Sequence, residues 1–260
     1  MLLPNKTAVI YGAGGSIGRA VALAFAREGA SLFLSGRNLE NVESVAAAVR
    51  EGGGTAEAAV VDALDAAAVR AHADQVVASA GRIDISFSLI TRGDVQGIPL
   101  AELSTDDLLR PVITGLTSTI NTAQAAARHM VAQGSGVILA LNSGSAHGSM
   151  MMGGTGPADA ATDTLIRNLA LELGPSGVRT AGMWVAGVPE TLTVQKLSAV
   201  NANIDESAVQ GILDQLDSLR MTKRSPRLDE IADTATFLAS DRAAGITGAF
   251  VNVTGGMFPS

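Results

Sequence analysis

Short apolar runs alternate with longer segments of helical spacing along this chain, and that alternation leaves few folds open. Thr7 to Tyr11, Ser31 to Ser35, Ala56 to Val61, Ile83 to Leu89, Gly136 to Leu141, Arg179 to Trp184 and Ala249 to Val253 read as strands. Between them, Ser16 to Glu28, Leu39 to Glu51, Ala66 to Ala80, Thr105 to Ala132, Ala158 to Leu173 and Leu228 to Ser240 read as helices. Several are closed by a glycine, as at Gly29, Gly52, Gly81, Gly134 and Gly174. Strand then helix, repeated, buries both faces of a sheet when the strands run parallel and the helices cross over between them. The expectation is an α/β fold with a doubly wound parallel sheet of seven strands. With 260 residues and 47% apolar side chains, one domain over residues 1–260 with a large core suffices.

The first strand runs into AVIYGAGGSIGRAVALAFAREGA, which sets Gly12, Gly14, Gly15 and Gly18 between a strand and a helix. Glycines there let the chain turn tightly and bring backbone N–H groups up to a pyrophosphate at the positive end of the helix. The turn resembles the Thr-Gly-x-x-x-Gly-x-Gly of the short-chain dehydrogenase/reductase family, with Tyr11 in place of the Thr and Ser16 in place of the middle glycine. The small Ser16 side chain weakens cofactor binding less than a bulky one would. The resemblance covers essentially the whole chain. Leu169 to Arg179 is similar to the family's Leu-x-x-Glu-Leu-Gly-Pro-x-Gly-Val-Arg, and Pro226 to Gly256 to its last helix and strand.

What the resemblance implies is a single-domain Rossmann fold that binds a nicotinamide cofactor through Gly12, Gly14, Gly15, Ser16, Ile17, Gly18, Gly36, Arg37, Asp62, Ala63, Ser88, Ile90 and Val188. An acid after the second strand would hydrogen-bond the ribose of NAD, whereas a base pairs with the extra phosphate of NADP. Gly36 removes the acid and Arg37 supplies the charge, so NADP(H) is expected over NAD(H); a merely solvated Arg37 is the alternative. Asp62 matches the aspartate that the family sets beside the adenine, and it can also cap the following helix.

The family's usual catalytic groups do not line up. Gly156 and Ala160 fall where Tyr and Lys are expected, Gly115 falls on the relay asparagine, Ser88-Leu89-Ile90-Thr91 replaces Asn-Asn-Ala-Gly, and Val185-Ala186 replaces Pro-Gly. Tyr11 is the only tyrosine, and no lysine lies between Lys6 and Lys196. Ser143, in ALNSGSAHG, keeps the position that in the family donates to the developing oxyanion. Two substitutes for the acid are at hand: His147, a residue type that gives or takes a proton near neutral pH, and Arg92, which polarises a carbonyl but hardly transfers a proton. Their bland readings are a loop histidine and a surface charge. Asp159 and Asp163 lie four apart on a helix and suggest a carboxylate pair, but Asp163 resembles an ordinary family residue there and Asp159 reads as a first-turn acid favouring the helix dipole. Met150, Met151 and Met152 line an apolar pocket or fill core space.

Two functions follow as expectations. One is an NADPH-dependent reductase of a carbonyl, enone or quinone-like small molecule that works without the tyrosine acid. The alternative is a non-catalytic NADP(H)-binding regulatory or structural subunit. A net charge of −7 and an isoelectric point near 4.9 argue against nucleic acid and anionic membranes as partners. The absence of cysteine fits the cytoplasm, as does the lack of a basic leader or of an apolar run approaching roughly 18 residues. No metal site is expected. Residues 188–226 read as a substrate lid, with Ala208, Ile212, Leu213, Leu216 and Leu219 on the apolar face of a helix whose outer face is acidic. Two alanine-rich helices, Thr105 to Ala132 and Ala158 to Leu173, resemble those that family members pair across a two-fold axis, so a homotetramer or homodimer is expected.

Overall fold

The computed structural model describes residues 1–197 and 204–258. Seven strands, β1 (Thr7–Tyr11), β2 (Ser31–Gly36), β3 (Thr55–Val60), β4 (Ile85–Ser88), β5 (Gly136–Asn142), β6 (Val178–Trp184) and β7 (Ala249–Asn252), form one sheet in the order β3-β2-β1-β4-β5-β6-β7. Every pairing is parallel. Parallel neighbours need long crossovers, and the helices supply them: α1 (Ser16–Arg27), α2 (Leu39–Glu51), α3 (Ala66–Ala80), α4 (Thr105–Gln133), α5 (Thr155–Leu173), α6 (Val194–Leu197), α7 (Glu206–Leu219) and α8 (Leu228–Ala239).

β1 shows why the sheet needs two covers. All five of its residues are buried, and its side chains alternate: Ala8 and Ile10 join the core under α1, α2 and α8, whereas Val9 and Tyr11 join the core under α3, α4 and α5. β1 is also where the order of strands reverses, since it pairs with β2 on one side and β4 on the other. The loops leaving β1 and β4 therefore diverge, and a crevice opens above the carboxyl ends of these strands.

Most boundaries fall within two residues of the sequence reading, with two informative exceptions. α5 begins at Thr155, three residues before the expected Ala158. The apolar face of α7 is Val209, Ile212, Leu213 and Leu216, with Ala208 and Leu219 exposed, so the expected stripe is rotated at both ends. Part of the expected lid, residues 198–203, lies outside the described residues. No helix among them is long and apolar enough to cross a membrane.

Candidate active site

The turn after β1 is held open by what its residues lack. Gly12 has φ +80°, and a Cβ there would stand 2.4 Å from the Leu89 carbonyl oxygen. At Gly18 a Cβ would stand 2.6 Å from the Gly12 oxygen, so α1 can approach β1 closely only with glycine at both positions. Gly15 caps α1 with no side-chain hydrogen bond, which leaves the helix N-terminus to meet a ligand. Above it lies a cavity of about 300 Å³ lined by eight of the expected cofactor residues: Gly12, Gly14, Gly15, Gly36, Arg37, Asp62, Ala63 and Ile90. Of the other five, Ser16, Ile17 and Gly18 make the first turn of α1, and Ser88 ends β4. Val188 is buried in the core on the α1 and α8 side.

Asn38, Asn41, Thr91 and Thr114 also line the cavity and were not expected. Their signal was positional: Asn38 follows Arg37 and caps α2, Asn41 lies in the first turn of that helix, Thr91 follows Ile90, and Thr114 faces the cavity from α4. Arg37 is exposed and makes no ion pair or hydrogen bond among the described residues. Asp62 does not cap α3. That role falls to Asp65, which accepts from the amides of Ala67 and Ala68, while Asp62 closes a turn with the Leu64 amide at 3.0 Å. A cavity of about 430 Å³ at the opposite ends of the strands is larger, but its cations are committed. There Lys6 pairs with Asp241, and Arg179 donates to three carbonyl oxygens.

The residues present fit a nicotinamide dinucleotide: a glycine-rich turn and a helix end with no side-chain cap could meet a pyrophosphate, and the exposed Arg37 guanidinium and the Asp62 carboxylate line the same cavity. Bound there, such a cofactor would supply hydride chemistry, and the polar groups nearest at hand lie just past the carboxyl ends of β4 and β5.

At that end the sequence reading needs correction. Arg92 is not a surface charge. Its side chain is 14% exposed, and its guanidinium donates to Asp159 at 2.8 Å and to Asp94 at 3.1 Å. Nor is Asp159 a first-turn acid. Because α5 starts early, Asp159 lies in the second turn and faces inward, completely buried. Its Oδ2 accepts from the Ser143 hydroxyl at 2.6 Å and from the amides of Ser143 and Ser145, each at 3.0 Å. Asp94 in turn accepts from the Thr155 hydroxyl at 2.8 Å. Loop, strand end and helix are joined by one polar network.

Glycine makes room for it. A Cβ on Gly115 would meet Arg92 Cδ at 2.9 Å, so the bare helix position in α4 accommodates the arginine stem. At Gly156 a Cβ would stand 2.9 Å from the Ser145 oxygen, so a side chain there requires the turn after β5 to shift. Ala160 is exposed. Tyr11 lies far from any such role: it is 1% exposed, set edge-on to His72 at 5.8 Å, and burial raises its pKa. Burial also pushes the His72 imidazole down to about 4.

His147 is exposed, and its ring meets Trp184 edge-on with centroids 4.6 Å apart. Met150 and Met151 are exposed and Met152 half-buried, so the first two do not fill core space. Asp163 is buried and accepts from Asn142 at 2.7 Å; burial raises its pKa, against the pull of Asn142 and Trp184. The sequence also gave no warning of Arg220. Fully buried at the end of α7, it donates to the carbonyl oxygens of Thr254, Ala186 and Gly187.

A glycine-cradled cavity at the switch point of a parallel sheet defines a nucleotide-binding α/β protein, and comparison with known proteins narrows the class. The family model described as enoyl-(acyl carrier protein) reductase matches residues 12–258. A D-threitol dehydrogenase of Mycolicibacterium smegmatis is 33% identical over 257 residues, covering 98% of this chain and 93% of that one. A 7alpha-hydroxysteroid dehydrogenase of Escherichia coli is 28% identical, covering 98% and 94%. Among solved structures, an NAD+-bound xylitol dehydrogenase superposes with a TM-score of 0.87 at 26% identity, covering 98% of this chain and all of that one. A 7 alpha-hydroxysteroid dehydrogenase complexed with NADH and 7-oxo glycochenodeoxycholic acid gives 0.82 at 28%, covering 98% and 94%. The chain belongs to the short-chain dehydrogenase/reductase family, and it is an oxidoreductase of that type built to take a nicotinamide cofactor.

Proposed function

We infer that this protein transfers hydride between NADP(H) and a small-molecule carbonyl, enone or quinone-like compound, and does so without the tyrosine acid usual in its family. The observation that carries this reading is the glycine-lined cavity with the exposed Arg37, which has no ion pair among the described residues, at its rim. Positioning donor and acceptor carbons accounts for much of hydride-transfer catalysis, and the fold retains that capacity. The named substrates of the relatives, a tetritol, a pentitol and a hydroxysteroid, support a small molecule bearing a hydroxyl or carbonyl group. His147 stands free to meet such a molecule. Arg92 serves by holding Asp159, since its guanidinium is committed.

The same commitment favours the second reading, a cofactor-binding subunit without turnover, because Ser143 and Arg92 are both turned toward Asp159. Titration with NADPH and NADH, together with a panel of ketones, enones and quinones, separates the two. Wild type binds NADPH more tightly, and Arg37→Ala removes the preference, which for a charge-assisted contact is worth roughly 1.5–3 kcal/mol. Equal affinities in wild type would contradict the NADP(H) assignment.

Residues 188–226 serve as a substrate lid in this reading, and the chain works in the cytoplasm. Exposed Leu109 and Ile113 on α4 and Leu171 on α5 support pairing of these helices in a homodimer or homotetramer.

A further inference from the structure

A completely buried carboxylate is costly unless its charge is met by donors, and Asp159 has four: the Arg92 guanidinium, two backbone amides and the Ser143 hydroxyl. Only one of them readily exchanges a proton. Amides do not give one up at ordinary pH, and arginine stays protonated. Ser143 Oγ therefore has a distinct place, with Asp159 Oδ2 at 2.6 Å on its inner side, and the residue itself is half-buried just past the carboxyl end of β5, the strand next to β4, whose following residues Leu89 and Ile90 line the cavity. Ser145 Oγ stands 2.7 Å from it, a second hydroxyl on the same atom.

We propose that Ser143 and Asp159 form a proton relay that replaces the family's tyrosine: Ser143 touches the reacting oxygen, and Asp159 takes and returns the proton through it. The inference rests on the hydride-transfer reading above. In the oxidising direction the carbinol carbon gives up a hydride with its electron pair to the cofactor. The substrate O–H proton passes to Ser143 Oγ as the proton of Ser143 passes to Asp159 Oδ2, and the C=O bond forms. After product leaves, Asp159 returns the proton to water by way of Ser143. Reduction runs the same path backwards.

Arg92 is then a positioning residue: it holds Asp159 Oδ1 so that Oδ2 faces Ser143, and it fits because position 115 is glycine. The charged groups around Asp159 are Arg92 and, behind it, Asp94 from the loop after β4, and Asp163 one turn along α5, which pairs at 3.8 Å with Arg167. α4 presents uncharged Gly115 to Arg92, and the turn after β5 carries His147 beside Ser145.

The test compares wild type with Ser143→Ala, Ser143→Thr, Asp159→Asn and His147→Ala, using NADP+ with D-threitol and xylitol and NADPH with a ketone panel. Loss of a general acid-base group lowers kcat roughly 10²–10⁴-fold, expected for Ser143→Ala and Asp159→Asn with NADPH affinity unchanged, while Ser143→Thr restores turnover. The pH limb of kcat/KM disappears in Asp159→Asn and survives in His147→Ala. Ser143→Ala leaves the buried ion pair intact, so it reports even where Asp159→Asn fails to fold. A readout independent of turnover is carboxyl-carbon NMR of the cofactor-free protein, in which the Asp159 signal, assigned by its loss in Asp159→Asn, titrates reversibly while the protein stays folded. Full turnover and an unchanged pH limb in Ser143→Ala, or an Asp159 signal that does not titrate before unfolding, overturns the relay alone. No turnover of any substrate by wild type overturns the function and the relay together.

Discussion

The two halves of the crevice obey different rules. On the β1–β2 side, what is missing matters: Gly12 and Gly18 keep the turn clear, Gly15 gives the helix end no side-chain cap, and Arg37 has no ion pair or hydrogen bond among the described residues. On the β4–β5 side, the polar groups are tied together, with Arg92, Asp94, Thr155, Asp159 and Ser143 in one network. An open cradle can be recognised from local sequence, because glycines at fixed spacing after a strand have few other uses. A closed network cannot, because its members come from three separate segments of the chain: the loop after β4, the end of β5 and α5.

Breaking the network should be the costliest change. Asp159→Leu removes one of the two carboxylate partners of a guanidinium that is 14% exposed, takes the acceptor from the Ser143 amide and leaves the Ser145 amide only the Ser143 hydroxyl oxygen at 3.2 Å. Removing one member of a buried pair costs roughly 3–5 kcal/mol, measurable by urea unfolding, and the double variant with Arg92→Met should regain part of it. A loss no greater than that of an exposed ion pair would mean that the network is not a unit.

The cradle side carries its own weakness, a buried histidine packed behind the glycine turn. His72 is held near 4 in the folded protein against an ordinary 6.5. Above the ordinary value both folded and unfolded chains carry a neutral ring, so stability is at its full level. As pH falls from 6.5 toward 4, the unfolded chain binds a proton that the folded one refuses. Stability should drop across that window by roughly 3 kcal/mol. Unfolding at several pH values checks this: His72→Leu should flatten the dependence, and an equal slope in wild type and variant would contradict it.

These differences explain what the sequence made legible. The alternation of strands and helices and the glycine turn could be read from the chain, because each depends on local pattern. Asp159 was misjudged because a start at Ala158 puts it in the first turn of a helix, where an acid needs no partner; the start at Thr155 carries it to the buried face. That face was visible in principle, since Thr155, Ala158, Asp159, Thr162, Asp163 and Ile166 follow helical spacing with polar residues on the inner stripe. Arg92 had no such pattern. It lies in an irregular loop 67 residues before its partner. Gly115 was the one hint, because a glycine in a helix interior costs roughly 0.5–1 kcal/mol relative to alanine and often marks a close approach. What approaches it is Arg92.

The most direct test of the account is a stopped assay of purified wild type with NADPH, following cofactor oxidation and the reduced product together across ketones, enones and quinones. The account predicts turnover with one product molecule formed for each NADPH consumed, although no tyrosine other than buried Tyr11 exists to serve as the acid. Tight NADPH binding with no hydride transferred to any acceptor would contradict it.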